Sequence, residues 1–485
     1  MPAGVAVVFA MRRARRMRAA GGRGQPLTTI PEGETMDTRT HFFQPEIEEI
    51  LNSPDKARLL REAFEDMHPY DMFVLCDDLE DRQIAECVRI LGIPTGISLF
   101  ERFEDERKKT IFSCFNKEWM ADILEEMPPD ERADFVKCLP GDKVEEILPL
   151  VARAERLDIK KLLTYQEGTA GSIMTTEYAS LPRDVTVRAA LEKIKLQAFN
   201  RETIYYIYVI DHDRKLLGFV SLKDILVEVS TLTVADIMQT NLVTVGVNED
   251  KEQVAKMLSD YDFLAIPVVD DRQRLVGIVT VDDVLDVVEE ETTEDIYKYG
   301  AAGEYSDYRT SAPYQVARQR SFWLMILICV GFVSAFVLAV NSEHLHAVMA
   351  LSFFTPMLLG ASGNAGTQSS TVVVRGLATG SIGIKDYFFV LRREVSVGMM
   401  EGVVMALLGA VMAVLVGKDP RIGLTVGCSM ILTVTLATSL GATLPILFKR
   451  LGLDPALMSG PFITSIVDVV SLLVYFRIAM VFFHL

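Results

Sequence analysis

The stretch LMSGPFITSIVDVVSLLVYF, residues 457–476, decides how this chain is read. It is apolar enough to cross a bilayer, yet Asp468 stands near its centre. A carboxylate at that depth costs roughly 2.5–3.5 kcal/mol on insertion scales. Membrane segments keep one where it lines a water-filled path or binds something. Asp468 is therefore the first candidate functional residue, and the rest of the chain reads as apparatus controlling access to it.

Working outward, the apolar character is concentrated in the last third. The 485 residues are 50% hydrophobic with a mean hydropathy of +0.25, between soluble and membrane values. Residues 40–310 are rich in charge and 321–485 are mostly apolar, and length suggests about three domains. Five segments are long enough to span, at approximately 322–340, 347–374, 395–416, 422–447 and 457–483. Arg318 and Arg320 precede the first. The next loop has Glu343, His344 and His346 but no lysine or arginine. Arg375, Lys385, Arg392 and Arg393 follow the second segment, and Lys449 and Arg450 the fourth, whereas Lys418 and Arg421 weaken the contrast. The positive-inside rule then puts the amino terminus in the cytoplasm and the carboxyl terminus outside, in a multi-pass protein of the cell membrane.

The second segment, FFTPMLLGASGNAGTQSSTVVVRG, is unusually polar. Polar or unwound backbone at membrane depth survives when buried in protein or facing water. Close packing through small residues accounts for its glycines and serines. It does not account for Asn364 and Gln368, which point to a path-lining role beside Asp468. Thr367 and Thr464 are further path-lining candidates.

Upstream, residues 282–295 hold eight carboxylates in fourteen positions with no lysine or arginine among them. Such hard oxygen ligands suit Mg²⁺ or Ca²⁺ rather than zinc. On a continuous helix Asp283, Asp286, Glu290 and Glu294 share one face, and Glu291 and Asp295 lie a quarter-turn or more away. The net charge of −17 argues against a nucleic-acid partner, because phosphate binding wants the opposite sign.

Residues 171–288 contain a repeat. GFVSLKDIL at Gly218 and GIVTVDDVL at Gly277 close two copies, with YYIYVID at Tyr205 and AIPVVDD at Ala265 as their middle strands. A β-α-β-β-α unit duplicated at roughly 60 residues lets the two copies pack their sheets together. These strings resemble a tandem cystathionine-β-synthase (CBS) pair. That resemblance implies a cleft for ATP or another adenine nucleotide, or else a module that only dimerises and relays. Before the repeat, apolar residues recur at helical spacing in short runs such as MADILEEM from Met120, broken by PPDE and LPGD. This predicts a helical superhelix in which Asp130 and Asp142 cap helices. The six cysteines lack metal-ligand spacing and read as thiols of a reducing compartment. Residues 1–24 carry six arginines and no acid, and read as a disordered extension, with Met36 as an alternative start.

The strings ETIYYIYVID, RLVGIVTVDDVLDVVEEETTEDI, GNAGTQSSTVVVRGLAT and DPALMSGPFITSIVDVVSLLVYF closely resemble the MgtE family of magnesium transporters and channels, from about Met36 to Leu485. The fold expected is multidomain. A basic extension (1–40) precedes an all-α superhelical domain (41–165) and an α/β CBS pair (171–232, 233–290). A connecting or plug helix (291–320) and a five-helix α transmembrane domain (321–485) follow. The resemblance implies a homodimer in the bilayer with a pore at the subunit interface and Asp468 as its Mg²⁺ ligand. It also implies cytosolic regulatory Mg²⁺ sites on Asp283, Asp286, Glu291, Glu294 and Asp295, with a helix break near Thr292–Thr293 reconciling them with the helical phase. Closure at high cytosolic Mg²⁺ follows from such sites. Thr367 stands where many members have Asn, and Gly460 where some do. Transport of Mn²⁺, Co²⁺ or Ca²⁺, or Mg²⁺ sensing without conduction, are the rival readings. An enzyme is disfavoured, since no HExxH, GxSxG or P-loop occurs. Arg477 reads as snorkelling to the interface.

Overall fold

The computed structural model describes residues 44–198, 201–229, 231–303, 311–341, 349–458 and 460–484. The basic extension, Met36, and the loop residues Glu343, His344 and His346 lie outside the described residues. The chain divides into two units, 1–287 and 288–485.

Among its described residues the first unit begins with ten short helices. They are α1 (Gln44–Leu51), α2 (Lys56–Phe64), α3 (Pro69–Cys76), α4 (Asp81–Leu91), α5 (Thr95–Phe100), α6 (Asp105–Ser113), α7 (Lys117–Glu126), α8 (Pro129–Cys138), α9 (Gly141–Ile147) and α10 (Arg153–Leu162). α4 shows why they form. Ile84, Ala85, Cys87 and Val88 recur at helical spacing and are buried. Glu80 N–H donates to Gln83 Oε1 at 2.9 Å to close the first turn, and Gly92, at φ +72°, ends the helix in the left-handed region. The apolar stripes share one core that includes Phe100, Phe112 and Phe135. Asp130 and Asp142 are not caps, because α8 and α9 start at Pro129 and Gly141 and place both aspartates inside the first turn. All six cysteines are free thiols.

The repeat then folds as two β-α-β-β-α copies. The first is β1 (Tyr178–Pro182), α11 (Val187–Gln197), β2 (Thr203–Ile210), β3 (Leu216–Ser221) and α12 (Leu222–Val227). After a short α13 (Val234–Ile237) the second is β4 (Val245–Gly246), α14 (Lys251–Asp260), β5 (Ala265–Val269), β6 (Leu275–Thr280) and α15 (Val281–Tyr299). In each copy the outer strand pairs parallel and the last two antiparallel. Tyr178 and Tyr208 of the first sheet pack with Ala265, Leu275 and Ile278 of the second, the sheet-on-sheet contact the repeat predicts.

α15 is one unbroken helix of 19 residues, so no break occurs at Thr292–Thr293. The connecting segment is not one helix over 291–320. α15 starts at the Thr280 junction and stops at Tyr299, where Ala301 (φ +51°) and Gly303 (φ +94°) turn the chain, and the next described helix begins at Pro313.

The second unit contains α16 (Pro313–Val340), α17 (Thr355–Ala378), α18 (Tyr387–Gly417), α19 (Pro420–Arg450) and α20 (Gly460–Phe483). Among the described residues, four helical stretches suit a membrane by length and composition: Pro313–Val340, Ile384–Gly417, Pro420–Arg450 and Gly460–Phe483. α17 matches α20 in length, at 24 residues, but its Ser, Asn, Thr and Gln side chains make it less apolar. Close approach through glycine holds the bundle together. A Cβ on Gly441 of α19 would lie 2.2 Å from Gly366 O of α17, and one on Gly398 of α18 would lie against Thr438 Oγ1 of α19.

Candidate functional site

The polar residues of α17 divide between two faces. Ser362, Gly363, Gly366, Ser369 and Ser370 are buried in the bundle, where Ser369 Oγ donates to Thr438 O at 2.8 Å. Pro356, Gly360, Asn364 and Gln368, spaced by four, form an exposed stripe on the opposite face. Small-residue packing thus explains one face, and Asn364 and Gln368 belong to the other.

α20 crosses α17 at Gly363. A Cβ there would stand 2.8 Å from Thr464 Cγ2 and 3.7 Å from Asp468 Oδ1. Asp468 Oδ1 is buried and has no hydrogen-bond partner among the described residues. A carboxylate oxygen left so is costly, and a ligand that supplies donors or positive charge removes that cost. One turn earlier the hydroxyl oxygens of Thr367 and Thr464 are 3.1 Å apart, each 3.0 Å from a carbonyl one turn back, Gly363 O and Gly460 O. Of the five path residues expected, Asp468, Thr367 and Thr464 face one another where α17 meets α20. Asn364 and Gln368 lie on the neighbouring exposed stripe.

The last turn of α15 reaches the same region. Lys298 Nζ pairs with Asp454 Oδ2 at 2.8 Å and Glu294 Oε1 at 2.6 Å, and both carboxylates hold its ammonium above the usual lysine range despite partial burial. Tyr299 O–H donates to Thr367 O at 3.0 Å.

The five carboxylates expected to be regulatory lie along α15. Asp283 Oδ2 accepts from Thr280 N–H at 3.3 Å and from the Thr280 hydroxyl, which fixes the helix start. Burial pushes the Asp283 carboxyl up to about 6, against those hydrogen bonds and with help from Asp282. Burial likewise raises Asp295, helped by Asp454. Asp286 is exposed, and Glu291 and Glu294 are half-buried. Among the described residues no three His, Cys, Asp or Glu side chains converge as a ready metal-holding group.

Sequence reasoning missed Asp130. Its Oδ1 is buried without a hydrogen-bond partner among the described residues, and burial followed by the Asp283 charge pushes its carboxyl well above the usual range. Glu202 is raised by burial and by Asp282, so acids from α8, the first copy and the second copy repel one another in this unit. The PPDE string marked a helix start, and nothing in the sequence ties it to Asp283. Glu401, half-buried midway along α18, was also passed over.

A helical domain, a paired α/β module and a bundle of membrane-length helices bearing a carboxylate define a multi-pass membrane transport protein with two further domains ahead of its helical bundle. Residues 67–168 match the MgtE intracellular N domain, 170–231 and 234–290 match the CBS domain, and 355–478 match the MgtE divalent cation transporter family. The magnesium transporter MgtE of Thermus thermophilus is 37% identical over 443 residues, covering 89% of this chain and 97% of that protein. That of Bacillus subtilis is 33% identical over 435 residues, covering 90% and 96%. A crystal structure of the cytosolic domain of the Mg²⁺ channel MgtE in complex with ATP is 33% identical, with a TM-score of 0.48, and covers 51% of this chain and 99% of that one. The chain belongs to the MgtE family of divalent cation transporters, a family of transporters and not of enzymes.

Proposed function

We propose that the chain passes Mg²⁺ across the membrane through a pore at the interface of a homodimer, gated by cytosolic Mg²⁺. The observation that carries this reading is Asp468, a carboxylate at membrane depth whose Oδ1 is buried without a partner and which lies next to an uncovered stripe bearing Asn364 and Gln368. A second copy of the chain seated on that stripe would put two Asp468 carboxylates about one axis. Mg²⁺ dehydrates reluctantly and keeps several waters. Paired carboxylates would hold the hydrated ion through its waters, with Asn364, Thr367, Gln368 and Thr464 supplying polar contacts, and selectivity would follow from cavity size and charge.

The gate is assigned to α15. Besides burial, Glu291 and Glu294 raise the Asp295 carboxyl and Asp282 raises that of Asp283, so carboxylates along α15 repel one another. Mg²⁺ bound among them, through waters, favours the closed arrangement, and its loss lets the pore open. The buried, mutually repelling Asp130 and Asp283 extend the same logic into the helical domain. ATP or a related adenine nucleotide is a further proposed ligand of the CBS pair. Thr280 and Asp283 stand together at the last strand–helix junction, a hydroxyl–carboxylate pair suited to ribose hydroxyls. The loop charges support a cytoplasmic amino terminus.

Uptake by Mg²⁺-auxotrophic cells tests the pore. Cells expressing the wild type should grow at low external Mg²⁺, and cells with Asp468→Asn at equal membrane abundance should not. Equal growth would sink the pore assignment. Mn²⁺, Co²⁺ and Ca²⁺ as competitors read the selectivity, and Mg²⁺ binding without Asp468-dependent uptake would make the protein a sensor.

A further inference from the structure

The last turn of α15 carries an aromatic hydroxyl directly onto the pore-lining helix. Tyr299 O–H lies 3.0 Å from Thr367 O and 2.7 Å from Thr371 Oγ1, and Thr371 Oγ1 lies 2.8 Å from the same Thr367 carbonyl. Thr367 in turn meets Thr464 at 3.1 Å, four residues before Asp468. An unbroken run of hydrogen-bonded groups therefore leads from the end of α15 to the turn that bears the pore carboxylate.

Gly460 borders this contact. A Cβ there would stand 3.7 Å from Tyr299 Cε1, 3.8 Å from its hydroxyl and 3.1 Å from Thr367 Cγ2. The ring of Tyr299 thus sits beside the first residue of α20, where an added Cβ would touch it at ordinary distance and press on Thr367. Lys298, one residue earlier, ties the same turn to Asp454 ahead of α20. The charged pair holds the backbone of the turn, and the tyrosine reaches the pore helix.

We propose that Tyr299 is the positioning residue of the gate, whose hydroxyl, bonded to Thr367 and Thr371, latches the end of α15 onto the pore helix in the closed arrangement. This rests on the gated Mg²⁺ transport reading above. The latch weights closed against open and makes no contact with the ion. Removing its hydroxyl lowers the weight of the closed state and leaves conduction through the open pore as it was.

The test uses cells expressing the full-length chain, depleted of Mg²⁺ and refilled from outside while a dye reports internal free Mg²⁺. Tyr299→Phe should keep the initial uptake rate of the wild type and raise the internal Mg²⁺ at which uptake stops by about fivefold. At 1.4 kcal/mol per tenfold that is about 1 kcal/mol, the net of one hydrogen bond. Thr371→Val removes the same partner from the other side and should raise the plateau in the same direction, and the double variant should add little beyond Tyr299→Phe. Plateaus equal to that of the wild type in both variants would overturn the latch, as would a fall in initial rate at equal membrane abundance with no change in plateau. Wild-type uptake that never stops would instead bring down the gating reading beneath it.

Discussion

Thr367 of α17 and Thr464 of α20 face each other with hydroxyl oxygens 3.1 Å apart, one helical turn before Asp468. Both hydroxyls also reach carbonyls of their own helices, Gly363 O and Gly460 O. The pair therefore joins the two helices at the level of the carboxylate without using Asp468 itself.

Thr464→Val keeps the shape of the side chain, removes this link and sets a methyl group near Asp468. Loss of a net hydrogen bond is worth about 1 kcal/mol, so the initial Mg²⁺ uptake rate should fall roughly fivefold. Thr464→Ser, which keeps the hydroxyl, should stay within about twofold of the wild type. Equal rates for the valine and serine variants would show that the hydroxyl contributes nothing to the path.

Asp468 was legible because charge in an apolar run is conspicuous at any register. The α/β repeat was legible because both copies carry a glycine-led strand and an aspartate at matching places. The split of α17 into a packed face and an exposed stripe needed three dimensions. Ser362 and Asn364 are two residues apart in sequence, yet they face opposite ways, and Ser362 is the buried one, where Ser471 of α20 donates to it at 2.9 Å. The continuity of α15 also escaped sequence reasoning. Nothing between Val281 and Tyr299 is a helix breaker, and the break expected near Thr292–Thr293 came from the family resemblance, to reconcile its site residues with the helical phase. Asp130 was invisible for a similar reason, since its burial beside Asp283 is made by packing alone.

Gly441 is a packing position. A Cβ there would come within 2.2 Å of Gly366 O and 3.2 Å of Ser369 Cβ, so the backbones of α17 and α19 must separate to admit it. Overpacking of this kind costs about 1–3 kcal/mol. Gly441→Ala should lower the melting temperature of the detergent-solubilised protein by several degrees and reduce uptake with it. An unchanged melting curve would mean that the two helices are not in close contact there.

The Asp130–Asp283 pair predicts a pH dependence. A carboxyl with a raised folded pKa contributes stability that is complete below its unfolded value near 4 and is lost as pH climbs through the folded value. For Asp283 that window runs from pH about 4 to about 6, and Asp130 shifts the same way. Without Mg²⁺, Asp130→Asn should therefore melt higher than the wild type at pH 7.5, by roughly 2–6 °C for relief of about 1–2 kcal/mol. The gain should shrink towards zero at pH 4.5, where the wild-type carboxyls are protonated. A gain of the same size at both pH values would point to packing and remove the electrostatic account.

The gate assignment stands on the carboxylates that α15 carries, Asp283 and Glu291 among them. Asp283→Asn keeps an oxygen that can accept from Thr280 N–H at the helix start, so the α15 amino terminus survives while one charge is lost. Glu291→Gln removes a second charge two turns on, at a half-buried position. With both changes the repulsion that opens the gate and the carboxylates that bind Mg²⁺ weaken together, so the response to Mg²⁺ flattens instead of shifting whole. Uptake in Mg²⁺-depleted cells should begin at a rate equal to or below that of the wild type, and its inhibition should spread over a wider range of internal Mg²⁺ with a half-point several-fold higher. Measured as uptake rate against internal free Mg²⁺, a curve superimposable on the wild type would remove Asp283 and Glu291 from the gate. It would leave Asp468, whose case rests on the membrane bundle alone, untouched.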